Sequence, residues 1–285
     1  MRRSFLVTSI IFSKDRPLQL DLCLSSIKKN FQDTNEIIVI EKYSDEYRKS
    51  LNTLKSEHPE VKFYPQSKCI YKDIKDCSLL SKNNYICFFT DDDIFYGKLG
   101  NVNLDGLFGI PDICSFSLRL GYNISKRFHL GEEALDVPIA YDDIGGLLFI
   151  SKTDHKYGSY WSYSESIDGH VFRVEQIRER FSELEYLNKR KDIGQTPNNV
   201  ETNMQRYWCL CGNTIACPHH SVVVNSPNNR VSDSHKENMS GEHFDFSEKD
   251  CLKEYESGKR IDLNRLDLSN IQCPHQEIDI MKGLV

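Results

Sequence analysis

The stretch Tyr85-Ile86-Cys87-Phe88-Phe89-Thr90-Asp91-Asp92-Asp93-Ile94-Phe95 runs five apolar residues through Thr90 into three consecutive aspartates. An unbroken apolar run of this length, bounded by charge, fits a strand buried on both faces. Carboxylates crowded at its end repel one another, so the triplet is stable only beside a cation or a hydrogen-bond network. Asp91 and Asp93 have the Asp-x-Asp spacing that holds a divalent cation, which in turn bridges two phosphates. Hard oxygen donors together with phosphates suit Mg²⁺ or Mn²⁺. In an open α/β sheet, ligands bind beyond the carboxyl ends of the strands, which is where the triplet falls. The plainer alternative is a solvated turn, because Asp favours turns.

Outward from this strand, the N-terminal half alternates. Residues 5–12 read as a strand. Residues 18–30 read as a helix with Leu18, Leu20, Leu22, Leu24 and Ile27 against a sheet, and 36–41 as a second buried strand. Residues 47–58 are helix-like with Pro59 just past their end, 61–64 form a short strand, and 73–82 are again helix-like. Strands alternating with helices predict right-handed crossovers and a largely parallel sheet. The second half is less regular. Strands are expected at 112–120, 146–151 and 221–225, a charged helix at 171–188, and a loop at 193–200 around Pro197-Asn198-Asn199. The polar last 45 or so residues open on a loop at 238–241 and are expected to wrap the surface with one helix at 248–255.

Composition sets outer bounds. The chain has 285 residues, 39% hydrophobic and 27% charged, with 15 Gly and 9 Pro, which excludes disordered, collagenous and coiled-coil classes. No apolar run approaches the ~18 positions of a membrane-spanning helix. The length suits two domains or one large α/β unit. A net charge of −6 argues against a broad nucleic-acid footprint, so no nucleic-acid partner is expected. Met1-Arg2-Arg3 followed by 4–12 imitates a signal peptide. However, Ser4, Thr8 and Ser9 interrupt the apolar core, and Ser13-Lys14-Asp15-Arg16-Pro17 stands where a small-residue cleavage site belongs. A buried first strand and a cytoplasmic location are expected instead. The 10 cysteines are scattered, several within apolar runs, and reduced thiols are expected.

Ser13-Lys14-Asp15-Arg16-Pro17 after the first strand, Glu41 ending the second, and the Asp91–Asp93 motif together resemble a GT-A-fold glycosyltransferase. The resemblance is to family-2-like sugar transferases of bacterial polysaccharide gene clusters. It continues through Phe116-Ser117-Leu118-Arg119-Leu120-Gly121, through residues 166–173 and 196–201, and through Ser221 to Val231. It covers about residues 5–235. The triplet is richer in Asp than a plain DxD, and no Gln-x-x-Arg-Trp signature of processive synthases occurs, so a non-processive enzyme is expected.

The resemblance implies an α/β, GT-A-like fold with a mostly parallel central sheet, flanking helices and an irregular C-terminal extension. Residues 1–240 would form the catalytic domain, with 1–110 as the nucleotide-sugar half and 111–240 as the acceptor half; 241–285 would be the extension. It implies sugar transfer from a nucleoside-diphosphate sugar, with a UDP-sugar expected, to a hydroxyl of a glycan or lipid-linked acceptor, and a peripheral association with a membrane. Mn²⁺ or Mg²⁺ would neutralise the departing diphosphate, as an oxocarbenium-like transfer requires.

An inverting enzyme also needs a base for the acceptor hydroxyl. Asp168 lies where the family places such a carboxylate; its alternative role is to cap a helix starting near Val171. Glu201 is the second candidate, against a surface ion pair. Arg16, Glu41, Asp91, Asp92 and Arg230 are the donor-binding candidates, and Asp91, Asp93 and His235 the metal candidates. His170 is expected to be structural. Two other functions remain open. A sugar nucleotidyltransferase would share the plan, but the 13–17 turn has no glycine for a triphosphate. A non-catalytic module stapled by zinc would use Cys209, Cys211, Cys217, His219 and His220, which are suitable ligand types, although the Cys-x-Cys spacing equally fits alternate positions of a strand.

Overall fold

The computed structural model describes residues 6–127, 133–134, 140–155, 159–163, 165–208, 212–231, 240–244 and 246–285. The N-terminal half alternates as expected: β1 (Val7–Lys14), α1 (Pro17–Asn30), β2 (Thr34–Lys42), α2 (Arg48–Glu57), β3 (Lys62–Pro65), α3 (Ile70–Leu80) and β4 (Tyr85–Thr90). Strands β3, β2, β1 and β4 lie side by side, all parallel. Alternate residues serve opposite faces, as the two-residue period of a strand demands. Val7 and Ile11 of β1 and Cys87 and Phe89 of β4 join one core cluster with α1. Ile10, Phe12, Ile86 and Phe88 join a second with α3.

Beyond β4 come β5 (Asp93–Phe95), α4 (Leu104–Phe108), β6 (Ile113–Ser117), β7 (Lys126–Arg127), β8 (Glu133–Ala134), β9 (Ala140–Ile144) and β10 (Leu147–Ser151). They are followed by β11 (His170–Arg173), α5 (Val174–Lys191), α6 (Pro197–Trp208), β12 (Thr214–Pro218), β13 (Val223–Asn225) and α7 (Glu248–Glu256). The central sheet has 9 strands in the order β3-β2-β1-β4-β11-β6-β12-β10-β9. Only β10 and β11 run against the others. β13 and β5 form a separate antiparallel pair that sets Asn225 opposite Asp93.

Three differences from the sequence reading have physical causes. First, the helix expected from residue 171 starts at Val174, because Val171 and Phe172 are buried between β4 and β6 as strand β11. Second, the loop expected at 193–200 contains a helix start. Pro197 supplies a preset backbone angle at the first turn of α6. Thr196 Oγ1 accepts from the Asn199 backbone N–H (3.2 Å), and Asn199 Oδ1 accepts from the Thr196 N–H (3.1 Å), the reciprocal arrangement of a capping box. Third, the C-terminal segment is partly interior: Cys251, Tyr255, Ile271, Cys273 and Ile280 enter the main core cluster. Residues 1–5, including the start of the expected first strand, lie outside the described residues. No helix among the described residues is long and apolar enough to cross a membrane.

Candidate functional site

β1 and β4 both end at one cavity of about 610 Å³, a size that suits a small-molecule ligand. The connection from β1 to α1 shapes its rim. Asp15 adopts a left-handed backbone (φ 53°), which Asp tolerates better than most residues. Its Oδ1 accepts from the Ser44 N–H at 2.7 Å. Arg16 follows at the start of α1, where its donor-only guanidinium cannot cap the helix N–H groups, and it lines the cavity.

Arg16 gathers the acid triplet. Its Nη1 donates to Asp91 Oδ1 (3.0 Å) and Asp92 Oδ2 (2.8 Å), its Nε to Asn229 Oδ1 (2.9 Å), and its Nη2 to the Asn229 carbonyl. Burial opposes a charge on Arg16, but Asp92 and Asp91 outweigh it and hold the guanidinium protonated. Asp91 also accepts through Oδ2 from the Ser13 hydroxyl (3.0 Å) and the Lys14 N–H (2.9 Å). Burial nevertheless pushes its carboxyl up to about 6, with Arg16 opposing and Asp92 adding to the rise. Asp91 and Asp92 line the cavity. Asp93, expected with Asp91 as a metal ligand, instead turns inward, does not line the cavity and is almost fully buried. Its oxygens accept from the Thr90 N–H (2.8 Å) and from Asn225 Nδ2 (3.3 Å). Burial, then Asp168 and Asp92, raise it well above the ordinary carboxylate range.

Asp168 lies on the cavity wall beside Glu201. It does not cap a helix, since β11 intervenes before α5. Its Oδ1 accepts from the Thr90 hydroxyl (3.1 Å) and its Oδ2 from Arg119 Nη1 (3.1 Å). Burial and the Glu201 carboxylate push Asp168 up to about 7, against the pull of Arg119. Glu201 accepts from the Ser166 hydroxyl (2.6 Å) and the Ile167 N–H (3.3 Å).

Arg230 lines the cavity; Glu41 does not. Glu41 Oε1 accepts from Lys55 Nζ (2.8 Å), while Oε2 is buried with no hydrogen-bond partner among the described residues. His235 lies outside the described residues. His170 is buried in β11 with Nε2 2.9 Å from the Ser117 hydroxyl. Of the zinc candidates, Cys209 and Cys211 lie outside the described residues. Cys217 is in the apolar core, where burial pushes its thiol up and disfavours the thiolate that a metal needs. The His219 ring lies 5.7 Å from that of Tyr122.

Sequence reasoning missed three residues at the centre of the site: Arg119, Asn225 and His275. Arg119 and Asn225 fall inside motifs quoted for the resemblance, and a polar residue at the end of an apolar strand was the available signal. His275 gave none, standing in a polar tail. The cavity is lined by six cationic side chains (Lys14, Arg16, Lys42, Arg119, Arg127, Arg230) and four carboxylates (Asp91, Asp92, Asp168, Glu201). That positive excess, in a chain of net charge −6, favours an anionic ligand.

Fold and cavity together define an α/β protein with an anion-favouring site beyond the carboxyl ends of its parallel strands. No protein-family model matches the chain, and no curated protein matches it in sequence. Solved structures resemble parts of it. The mannosyltransferase PcManGT from Pyrobaculum calidifontis, in complex with GDP-Man and Mn²⁺, is 12% identical over 42% of this chain and 35% of its own, with a TM-score of 0.30. TarS 1-349 from S. aureus in complex with UDP is 12% identical over 78% of this chain and 61% of its own, with a TM-score of 0.42. The same TarS fragment in a second structure is 12% identical over 74% of this chain and 57% of its own, again with a TM-score of 0.42. The chain therefore spans less than two thirds of each of these structures.

Proposed function

We propose that this chain is a GT-A-type, metal-dependent, non-processive glycosyltransferase. It moves a sugar from a nucleoside-diphosphate sugar, with UDP as the expected nucleotide, to a hydroxyl of a glycan or lipid-linked acceptor. The observation that carries this reading is the convergence, in one cation-rich cavity, of the Arg16-bridged Asp91 and Asp92 with a separate carboxylate, Asp168, raised to about 7. In this reading residues 1–110 hold the nucleotide, 111–240 hold the acceptor, and the protein works in the cytoplasm with a peripheral membrane association.

A divalent cation fits the residues present. Among the described residues no three ligating side chains converge on one point. Mg²⁺ and Mn²⁺ sites built from one or two carboxylates, substrate phosphates and water do not need three. Asp91 and Asp92 supply hard oxygens on the cavity lining, and a cation there would also offset their mutual repulsion. The bound cation would neutralise the departing diphosphate. Lys14 and Arg16 of the nucleotide half hold the phosphates, and Arg230 of the acceptor half reaches them from the shared cavity lining. Asp168 takes the proton from the acceptor hydroxyl as its oxygen bonds to the sugar's anomeric carbon and the bond to the diphosphate breaks. A base near neutrality is well matched to that transfer at physiological pH.

Thermal unfolding in the presence of UDP- and GDP-sugars, with and without Mn²⁺, tests the reading. A donor at 100 times its dissociation constant should stabilise the fold by about 2.7 kcal/mol, an effect removed by EDTA and restored by Mn²⁺. If no nucleoside-diphosphate sugar shifts the transition with or without Mn²⁺, the assignment fails.

A further inference from the structure

The C-terminal segment reaches the site at Asn225. The Asn225 N–H donates to the Pro274 carbonyl (2.8 Å), and the Gln276 N–H donates to the Asn225 carbonyl (2.9 Å). His275 is thereby clamped beside β13, its ring 6.1 Å from that of Tyr160 and on the cavity wall. Its Nε2 lies 3.1 Å from Arg119 Nη1 and 3.8 Å from Asp168 Oδ2, and its Nδ1 lies 3.3 Å from Asn225 Oδ1.

Donor and acceptor chemistry fixes the tautomer of this ring in its neutral form. Arginine has donors only, so Nε2 facing Arg119 must accept, and the single ring proton of a neutral imidazole then sits on Nδ1. That proton goes to Asn225 Oδ1, which settles the orientation of the amide. The Asn225 NH₂ therefore faces the acids, donating to Asp92 Oδ1 (2.8 Å), Thr90 Oγ1 (2.9 Å) and Asp93 Oδ1 (3.3 Å). With the amide reversed, its oxygen would confront two carboxylates. On the other side, Arg119 is 2% exposed and shares Nη1 between His275 and Asp168 Oδ2. One imidazole thus aims both the arginine that faces Asp168 and the amide that shapes the Asp91–Asp93 turn.

We propose that His275 is a positioning residue for the transfer site, acting as a neutral, Nδ1-protonated imidazole that orients Asn225 and Arg119 and, through them, the acid triplet and Asp168. The inference rests on the glycosyl-transfer reading above. Small displacements of reacting groups are expensive: misplacement by about 1 Å costs on the order of 10²-fold in rate. His275→Phe keeps the ring volume against Tyr160 but removes both nitrogens, whereas His275→Gln keeps one acceptor and one donor.

Two measurements test the proposal. ¹⁵N NMR of histidine-labelled protein at neutral pH, with the His275 signals assigned by their loss in His275→Gln, should show an Nδ1-protonated neutral ring. An Nε2-protonated ring or an imidazolium overturns the proposal whether or not the protein transfers sugar, so this arm is independent of the functional reading. In transfer assays, His275→Phe should lower kcat by about 10- to 100-fold with donor KM changed less than about threefold, and His275→Gln should recover most of the loss. Wild-type turnover in His275→Phe, or an equal loss in both variants, refutes the positioning role. An Nδ1-protonated ring in a protein that transfers no sugar would leave the geometry standing and refute the function.

Discussion

Replacing Asp168 by Asn separates the catalytic role of this carboxylate from its structural one, because the side chain keeps its shape and loses its basicity. Loss of a positioned base is worth about 10²–10⁴-fold in kcat, or roughly 3–5 kcal/mol of barrier, with donor and cation binding nearly unchanged. The same substitution has a stability signature of opposite sign. Burial first, and Glu201 second, hold Asp168 at about 7 in the folded protein, against about 4 in the unfolded chain. Between these values the folded state keeps a proton that the unfolded state has lost, so wild-type stability is full below about pH 4 and declines as pH rises through about 7. The whole window is worth at most about 4 kcal/mol, and roughly 3 kcal/mol of it falls between pH 5 and pH 8. The amide in Asp168→Asn does not titrate, but its single oxygen cannot serve Thr90 and Arg119 together, which costs about 1–3 kcal/mol at any pH. Denaturant melts of both proteins at pH 5, 6, 7 and 8 should therefore show the gap between variant and wild type closing, in the variant's favour, as pH rises. A gap independent of pH, or turnover within a few-fold of wild type, would refute the reasoning and move the base assignment to Glu201.

Arg16→Ala leaves Asp91 and Asp92 facing each other without their shared cation; denaturant unfolding should show a loss of about 3–5 kcal/mol, and calorimetry a loss of donor binding. Arg16→Lys should retain part of the stability but little of the donor binding, since an ammonium cannot reproduce the contacts to both aspartates and Asn229. In Gly121→Ala the added carbon would meet the Ser221 backbone nitrogen at 2.6 Å and the His220 backbone at 2.8 Å; a loss of about 1–3 kcal/mol is expected by thermal melting, and a wild-type transition would contradict this packing. The eight cysteines of the described residues form no disulfide with one another, and thiol titration under denaturing, non-reducing conditions should recover all 10 of the chain; a markedly lower count would show pairing through Cys209 or Cys211.

The sequence by itself determined the parallel half of the sheet. Runs such as Ile37–Ile40 and Tyr85–Phe89 are apolar at every position, and a strand must then be covered on both faces, which only flanking helices provide. It also located the acid triplet at the end of one of those strands, because the change from apolar to charged residues marks where the chain leaves the interior. Local punctuation was less decisive. Pro197 reads equally as a loop residue or a first helical residue, and the choice went to the helix through the Thr196–Asn199 contacts. Tertiary structure alone decided what the acids touch. Arg16 lies 75 residues from Asp91, Arg119 49 from Asp168, and His275 156 from Arg119. Hydrophobic periodicity records which face of each element is buried, but not which distant element arrives to cover it. A polar side chain such as Asn225 or His275 carries no periodic signal at all. Its partners, its protonation and its orientation are fixed only when the packed strands bring donors and acceptors within hydrogen-bonding distance, because a buried polar group that finds none is too costly to retain.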